Sequence, residues 1–590
     1  MKPRREAQTV INPLTRIRIW YVCLLFITAV FVVRLFYLQV IRHNYYQQAA
    51  LRGQLKQYEI QPERGTVMAY SNGTPTAVVL NQTLYTLYAD PKFIKDPLGT
   101  AGQVQKVIGG NVGDYEAKMK ANSRYEILAK KLSKQQHDAI TALKLKGVGT
   151  QETNYRTYPQ GQLAAQVLGF VNDEGIGQYG LEQALNNELQ GKAGKLKAIT
   201  DASGVPLAAN KDNINESPVP GKNVILTLDL GMQQQTEDIL KQQIEDTKAA
   251  SGSAIILDVR SGAVKAMANY PTYNPADFSK VSDQAVFTNF SVSEAFEVGS
   301  IMKVLTAAAA LDTGAVGKNT TYYDPSFFRV DDATVRNIEE DGGAGTKSVA
   351  DILQLSLNTG ATWLLMQMGG GHINDKARTT WHDYLTNHYR FGKPTGIEQS
   401  YEGGGIVPDP LKGYGLNIQY ANTAFGQGQT ETLLQMGAAL AAVINGGTYY
   451  RPHLVDAYMK PDGSAEQKKP EILNEKVVTP DVSKDLQEFM AYTIQKNKLT
   501  YGVRDLRPEY VYGGKTGTAQ IPKPDGGYYD DRYNGTFLGF IGGDEPQYVI
   551  VVRVREPRNI TGYAGAKAAA PVYFKLADML INNFGVKPKT

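Results

Sequence analysis

Cysteine is almost missing from this sequence: its 590 residues include one, Cys23. A single thiol cannot close an intramolecular disulfide. It also excludes a disulfide framework and a cysteine-built metal cluster. A location outside the cytoplasm stays open, because a large domain can depend on its core instead of cross-links. Histidine is scarce too, with six residues in all. His372, His382 and His388 are the nearest to one another and none are four apart, so no metal site is expected. A dominant charge is also lacking. The 62 basic and 58 acidic residues leave a net charge of +4, which gives no electrostatic footprint for nucleic acid. There is no internal repeat and no low-complexity tract. The glycine-rich stretches Gly369–Gly371 and Gly403–Gly405 lack the following Lys-Ser/Thr of a phosphate loop.

What is present is ordinary globular composition, 42% hydrophobic and 20% charged, with one exception. From Ile19 to Val33 no residue is charged, and after Arg34 the apolar character resumes through Ile41. As a helix this stretch is about 34 Å long, enough to cross a bilayer. Arg34 lies well past its centre and can extend its head toward the far interface. Lys2, Arg4, Arg5, Arg16 and Arg18 precede the run, against the single acid Glu6. By the positive-inside rule the N-terminal end stays cytoplasmic and the remainder is exported. No small-residue cleavage site follows, so the segment is read as an uncleaved anchor.

The expected organisation is a cytoplasmic tail over 1–18, a transmembrane anchor over 19–41, a first extracytoplasmic region over 42–215 and a larger domain over 216–590. The boundary is placed in Val205–Gly221, where three prolines and polar residues interrupt any apolar period. Before it, short strands such as Thr76–Leu80 alternate with helices such as Ser133–Leu143. After it, Val224–Leu228 reads as a strand and Leu230–Thr247 as a helix. Ala254–Val259 and Ala263–Asn269 read as strands joined by a turn at Arg260-Ser261-Gly262. Ile301–Leu311 is nearly all apolar and reads as a buried helix closed by Gly314. Gly514–Gln520, Thr536–Ile541 and Tyr548–Val554 are later strands, and Ala568–Phe584 a final amphipathic helix. Two early and three late strands around a helical block predict an α+β fold with a five-stranded antiparallel sheet built from both ends of a domain and flanked by helices.

Three short motifs occur in order: Ser300-Ile301-Met302-Lys303, Ser356-Leu357-Asn358, and Lys515-Thr516-Gly517 followed by Thr518. Each alone is weak; a chain this long carries about one or two S-x-x-K matches by accident. Ser300 could be a helix cap, Ser356 and Asn358 a capping turn, and Lys515 an edge-strand lysine. Two features favour chemistry. Ser300-x-x-Lys303 is the single S-x-x-K in the chain, and the residues that follow are too apolar for a solvated face. Residues three apart share a helix face, so Lys303 should sit beside the Ser300 hydroxyl. Desolvation lowers a lysine pKa, and a neutral amine can take a proton that an ordinary serine does not lose near neutral pH. The Ser300 N–H lies at the positive end of the helix dipole, suited to an oxyanion. Gly517 inside a strand points to close approach by another backbone. Lys515, Thr516 and Thr518 would supply charge and donors to a carboxylate.

The order S-x-x-K, S-x-N, K-T-G resembles the penicillin-binding protein and serine β-lactamase superfamily. The context is similar to its class B, monofunctional members. Phe296-Glu297-Val298-Gly299-Ser300 resembles the approach to the family nucleophile, with Val298 where proline is common. Tyr270-Pro271-Thr272-Tyr273-Asn274-Pro275, Phe425-Gly426-Gln427-Gly428, Arg64-Gly65-Thr66-Val67 and Gly180-Leu181-Glu182 also match family motifs. One departure is that the acidic residue usual after Arg-Gly is missing in Ala69-Tyr70-Ser71-Asn72-Gly73, which puts a salt bridge of Arg64 in doubt.

The resemblance implies a single-pass anchor, a dimerisation or pedestal domain over 42–215 and a penicillin-binding transpeptidase domain over 216–590. It implies that Ser300 attacks the D-Ala-D-Ala carbonyl of a peptidoglycan stem peptide with Lys303 as base. The N–H groups of Ser300 and Thr518 form the oxyanion hole, Ser356 relays a proton and Asn358 binds a substrate amide. Lys515, Thr516 and Thr518 hold the terminal carboxylate next to Gly517. β-Lactams would acylate Ser300, and no cofactor or metal is implied. The implied partners are the cytoplasmic membrane, a polytopic glycan polymerase of the SEDS type and divisome proteins, since the pattern looks more like the septal, FtsI-like type than the elongation type. The competing readings are a D,D-carboxypeptidase, a β-lactamase, and a catalytically dead scaffold or β-lactam sensor. The large pedestal and uncleaved anchor favour cross-linking over the first two, by analogy with the family. The intact Ser300, Lys303, Asn358 and Lys515 oppose the dead scaffold.

Overall fold

A computed structural model describes residues 13–46, 55–199, 214–338, 343–460 and 462–590. Pro13–Phe36 forms an α-helix that runs directly into a π-helical turn, Tyr37–Ile41. From Ile17 to Phe36 its side chains are exposed, Trp20 by 76%, which suits a lipid-facing helix. Thr28, in the middle of the run, returns its hydroxyl to the Leu24 carbonyl at 2.8 Å. Ile17–Ile41 is long and apolar enough to cross a membrane, and it contains the whole of the anchor expected over 19–41.

The chain divides into two compact units, Met1–Pro62 with Lys192–Pro220, and Glu63–Gly191 with Gly221–Thr590. The first contains the anchor and a three-stranded antiparallel sheet of Leu55–Ile60, Gly194–Ile199 and Ile214–Glu216. Most of the segment read as a linker, 205–213, lies outside the described residues. Its continuation Ile214–Glu216 is a strand paired with Lys195–Lys197, an alignment across the chain that local composition does not encode.

The second unit is built on two larger sheets. In one of them Asn223–Asp229 pairs parallel with Val67–Ser71 and antiparallel with Val455–Met459. Thr74–Ala89 then links Val67–Ser71 to Glu126–Leu132 and Val148–Thr157. Strands from both halves of the sequence therefore share one sheet. The salt bridge of Arg64 that the missing acid put in doubt is present. Arg64 and Arg156 flank Glu182, with Nε···O distances of 2.7 Å each, and all three are nearly or fully buried. The acid comes from the Gly180-Leu181-Glu182 motif, not from the stretch after Arg64-Gly65.

The other sheet has five antiparallel strands in the order Val264–Tyr270, Ser251–Asp258, Pro546–Arg555, Tyr528–Gly542, Val511–Pro522. This is the sheet predicted from both ends of the domain. Its central strands are apolar at nearly every position because both faces are covered. Ala254, Ile256, Ile550 and Val552 pack with the helices Leu230–Thr247 and Ala570–Asn583 on one side. Ile255, Leu257, Val549 and Val551 belong to the opposite core, with Met302–Asp312 and Leu433–Ile444. Each of the Ile, Leu and Val side chains contributes about 1.5–3 kcal/mol on burial. Leu433–Ile444 comes close because a Cβ at Gly437 would stand 2.8 Å from Leu257 and 2.9 Å from Val551. The Tyr270–Pro275 motif docks on the N-terminal half, with Tyr273 donating to the Ala165 carbonyl at 3.1 Å.

Candidate active site

Ser300 sits in a single 3-10 turn, Gly299–Ile301, which feeds the helix Met302–Asp312. That helix is buried from Met302 through Leu311, and four consecutive alanines, Ala307–Ala310, keep it thin enough to pass through the core. Lys303 is therefore held in a fully buried environment, one turn beyond Ser300.

The approach to Ser300 is fixed from several sides. Gly299 N–H donates to the Gly426 carbonyl at 3.0 Å. Gly426 has φ +84°, and a Cβ there would lie 2.1 Å from the Gly299 oxygen, so the Phe425-Gly426-Gln427-Gly428 motif requires glycine at this contact. Phe296 pairs with Glu431 through two backbone hydrogen bonds, and Arg553 stacks 3.9 Å over the Phe296 ring while donating to Glu294 at 3.0 Å. Val298 has φ −78°, within the range proline also adopts. Its carbonyl accepts from Thr536 Oγ1 at 3.2 Å.

The three motifs converge. Lys303 Nζ donates to Ser300 Oγ at 2.9 Å, to Asn358 Oδ1 at 2.8 Å and to the Ser356 carbonyl, with Ser356 Oγ at 3.3 Å. Lys515 Nζ donates to Ser356 Oγ at 2.9 Å and to the Thr516 carbonyl at 3.0 Å. Ser356 therefore bridges two buried lysines. It does so in a left-handed conformation, φ +59°, uncommon for a residue with a Cβ and frequent at functional sites. Asn358 opens the helix Asn358–Met368, and its Nδ2 donates to the Arg336 carbonyl at 3.1 Å, so both ends of its amide have protein partners. Gly517 lies opposite Thr536 in the sheet. A Cβ there would stand 2.3 Å from Thr536 Oγ1 and 2.9 Å from the Val298 carbonyl, the close approach its position in the strand foretold.

A cleft of about 690 Å³ opens over Ser300, Ser356, Asn358 and Thr518. Thr516 and Gly517 are not part of its lining. Its remaining wall includes Ile338, Gln427, Gln520, Tyr533, Ile560 and Tyr563. Only Gln427 of these lies in a motif; Gln520 ends an expected strand, and the other four come from segments with no local signal. Two further carboxyls had no role assigned from the sequence, Glu297 within the approach to Ser300 and Glu431 with no signal at all. Burial pushes the Glu297 carboxyl up, against the hydrogen bonds from the Gly428 N–H and the Tyr528 hydroxyl. Glu431 is fully buried, and neither carboxyl oxygen has a hydrogen-bond partner among the described residues. Burial, followed by repulsion from Glu297, raises it far above the ordinary range.

The penicillin binding protein transpeptidase domain family matches residues 252–578, and the penicillin-binding protein dimerisation domain family matches 59–226. The chain is 30% identical to stage V sporulation protein D of Bacillus subtilis over 594 residues, covering 98% of this chain and 87% of that protein. The chain belongs to the penicillin-binding proteins. As a class B penicillin-binding protein it carries a dimerisation domain and a transpeptidase domain behind an N-terminal apolar helix. It is also 26% identical to peptidoglycan D,D-transpeptidase FtsI of Escherichia coli, covering 100% of this chain and 95% of that protein. In fold this penicillin-binding protein is similar to penicillin binding protein 2X of Streptococcus thermophilus, with a TM-score of 0.71, 23% identity, and 90% and 81% of the two chains covered.

Proposed function

We propose that this penicillin-binding protein is a peptidoglycan D,D-transpeptidase that works through a Ser300 acyl-enzyme. The contact of Lys303 Nζ with Ser300 Oγ at 2.9 Å carries the reading. A neutral amine at this position has two N–H groups for the Ser356 carbonyl and Asn358 Oδ1, and its lone pair then faces the Ser300 hydroxyl. Ser300 Oγ attacks the carbonyl of the D-Ala-D-Ala bond as its proton passes to Lys303. The N–H groups of Ser300 and Thr518 stabilise the oxyanion. Ser356, between Lys303 and Lys515, passes a proton to the leaving D-alanine. Thr518 holds the terminal carboxylate beside Gly517, with charge supplied by Lys515, while Thr516 stands outside the cleft lining. Asn358, expected to bind a substrate amide, has both ends of its own amide engaged and keeps Lys303 in place. An amine of a second stem peptide then attacks the acyl carbonyl, releasing Ser300 and forming the cross-link. β-Lactams acylate the same hydroxyl.

The basic N-terminal residues support a cytoplasmic N-terminus and an extracytoplasmic catalytic domain. The domain limits 42–215 and 216–590 remain our assignment. Similarity to FtsI supports a role in septal wall synthesis, with a SEDS-type polymerase and divisome proteins as partners. Labelling with a fluorescent penicillin tests the enzyme reading: wild type should be labelled and Ser300→Ala should not, and a catalytically dead scaffold would take up no label.

A further inference from the structure

Past the five-stranded sheet, Val511–Pro522 and Tyr528–Gly542 continue as a two-stranded arm whose last pair is Pro522 with Tyr528. Gln520 and Tyr533 of this arm line the cleft. A two-stranded ribbon is marginally stable alone in water, and residues 522–527 and 530–532 are exposed. The arm therefore needs a tether. Arg532 reaches Glu556 at 3.9 Å while 46% exposed, which is worth little. The stronger link is the Tyr528 hydroxyl, which donates to the Glu297 carboxylate with its oxygens at 2.9 and 3.0 Å.

Glu297 lies three residues before Ser300. Its carboxylate also accepts the Gly428 N–H at 2.8 Å, next to Gln427 on another part of the cleft wall. One half-buried carboxylate thus joins the arm, the 425–428 loop and the approach to the nucleophile. Hydrogen bonds to an ionised acceptor are about twice as strong as neutral ones. Tyr528 itself is not among the residues lining the cleft.

We infer that Tyr528 and Glu297 form a clasp that holds the arm against the cleft, and that both are positioning residues for the part of a stem peptide extending beyond its D-Ala-D-Ala end. This rests on the transpeptidase reading above. The clasp sets where Gln520 and Tyr533 stand, and so it acts on the binding of a long peptide more than on the chemical step.

The test is Tyr528→Phe in the full chain in detergent, which removes one hydroxyl. Mass spectrometry should find tryptic cleavage after Arg532 about tenfold faster than in wild type, for loss of one charge-assisted hydrogen bond. For a synthetic stem pentapeptide ending in D-Ala-D-Ala, KM should rise several-fold while kcat stays within about twofold. Benzylpenicillin should still label Ser300. Unchanged cleavage after Arg532 would overturn the clasp, and so would a fall in kcat with KM unmoved. The cleavage readout needs no catalysis. Absence of penicillin labelling in wild type would therefore defeat the transpeptidase reading while cleavage still decided the clasp.

Discussion

The Ser356 hydroxyl oxygen lies 2.9 Å from Lys515 Nζ, while the backbone carbonyl of the same serine accepts from Lys303. One residue in a left-handed conformation joins the lysine of the first motif to the lysine of the third. This separates what its backbone does from what its hydroxyl does. Ser356→Gly should tolerate φ +59° and be more stable than Ser356→Ala by about 1 kcal/mol. Both variants should lose acylation rate alike, by about 10²-fold or more. Thermal unfolding and stopped-flow acylation measure the two effects, and a normal rate in either variant would remove the hydroxyl from proton transfer.

The buried triad of Arg64, Glu182 and Arg156 should behave as a stability element. Glu182→Ala leaves two largely buried guanidinium groups without their acid and should cost about 3–5 kcal/mol. Urea denaturation measures this. A loss below about 1 kcal/mol would mean that the remaining partners of both arginines suffice.

Glu237, on the helix Leu230–Thr247, is pushed up to about 7 by burial, against hydrogen bonds from Gln233 and the Ala164 N–H. The folded protein therefore holds this proton more tightly than the unfolded chain, whose carboxyl titrates near 4.5. The associated stability is full below that value and is lost as pH rises toward 7, by about 1–3 kcal/mol. Glu237→Gln should flatten this part of the pH profile and gain on wild type between pH 5 and 8. Denaturation curves at several pH values check it, and parallel profiles for the two proteins would contradict it.

Removal of the apolar helix should separate anchoring from chemistry. A chain beginning at Arg42, just past Ile17–Ile41, should stay soluble without detergent and still take up penicillin. A persistent need for detergent would place a second membrane contact outside that helix.

The sequence made the local elements and the site legible to different depths. Leu230–Thr247 is bounded as expected because Asp229 caps it and the apolar spacing is helical. Four strands of the five-stranded sheet carry apolar runs and Gly514–Gln520 does not; Tyr528–Gly542 extends well beyond its run, since the arm is largely exposed. The pairing of Asn223–Asp229 with Val67–Ser71 could not be read, because register between distant segments leaves no mark on either. The convergence of Ser300, Lys303, Ser356, Asn358 and Lys515 was legible because the three motifs carry those residue types at short, fixed spacings. Glu297 was visible as part of a motif but without a partner, and Tyr528 carried no signal, since their contact joins positions 231 residues apart.

The account depends most on Lys303 serving the Ser300 hydroxyl across 2.9 Å, and the acylation rate with benzylpenicillin, followed by intact-protein mass and peptide mapping, tests it most directly. Wild type should gain one adduct, located on Ser300. Lys303→Ala should fold normally and acquire the same adduct more slowly by orders of magnitude. An adduct on another residue, or an unchanged rate in Lys303→Ala, would contradict the account.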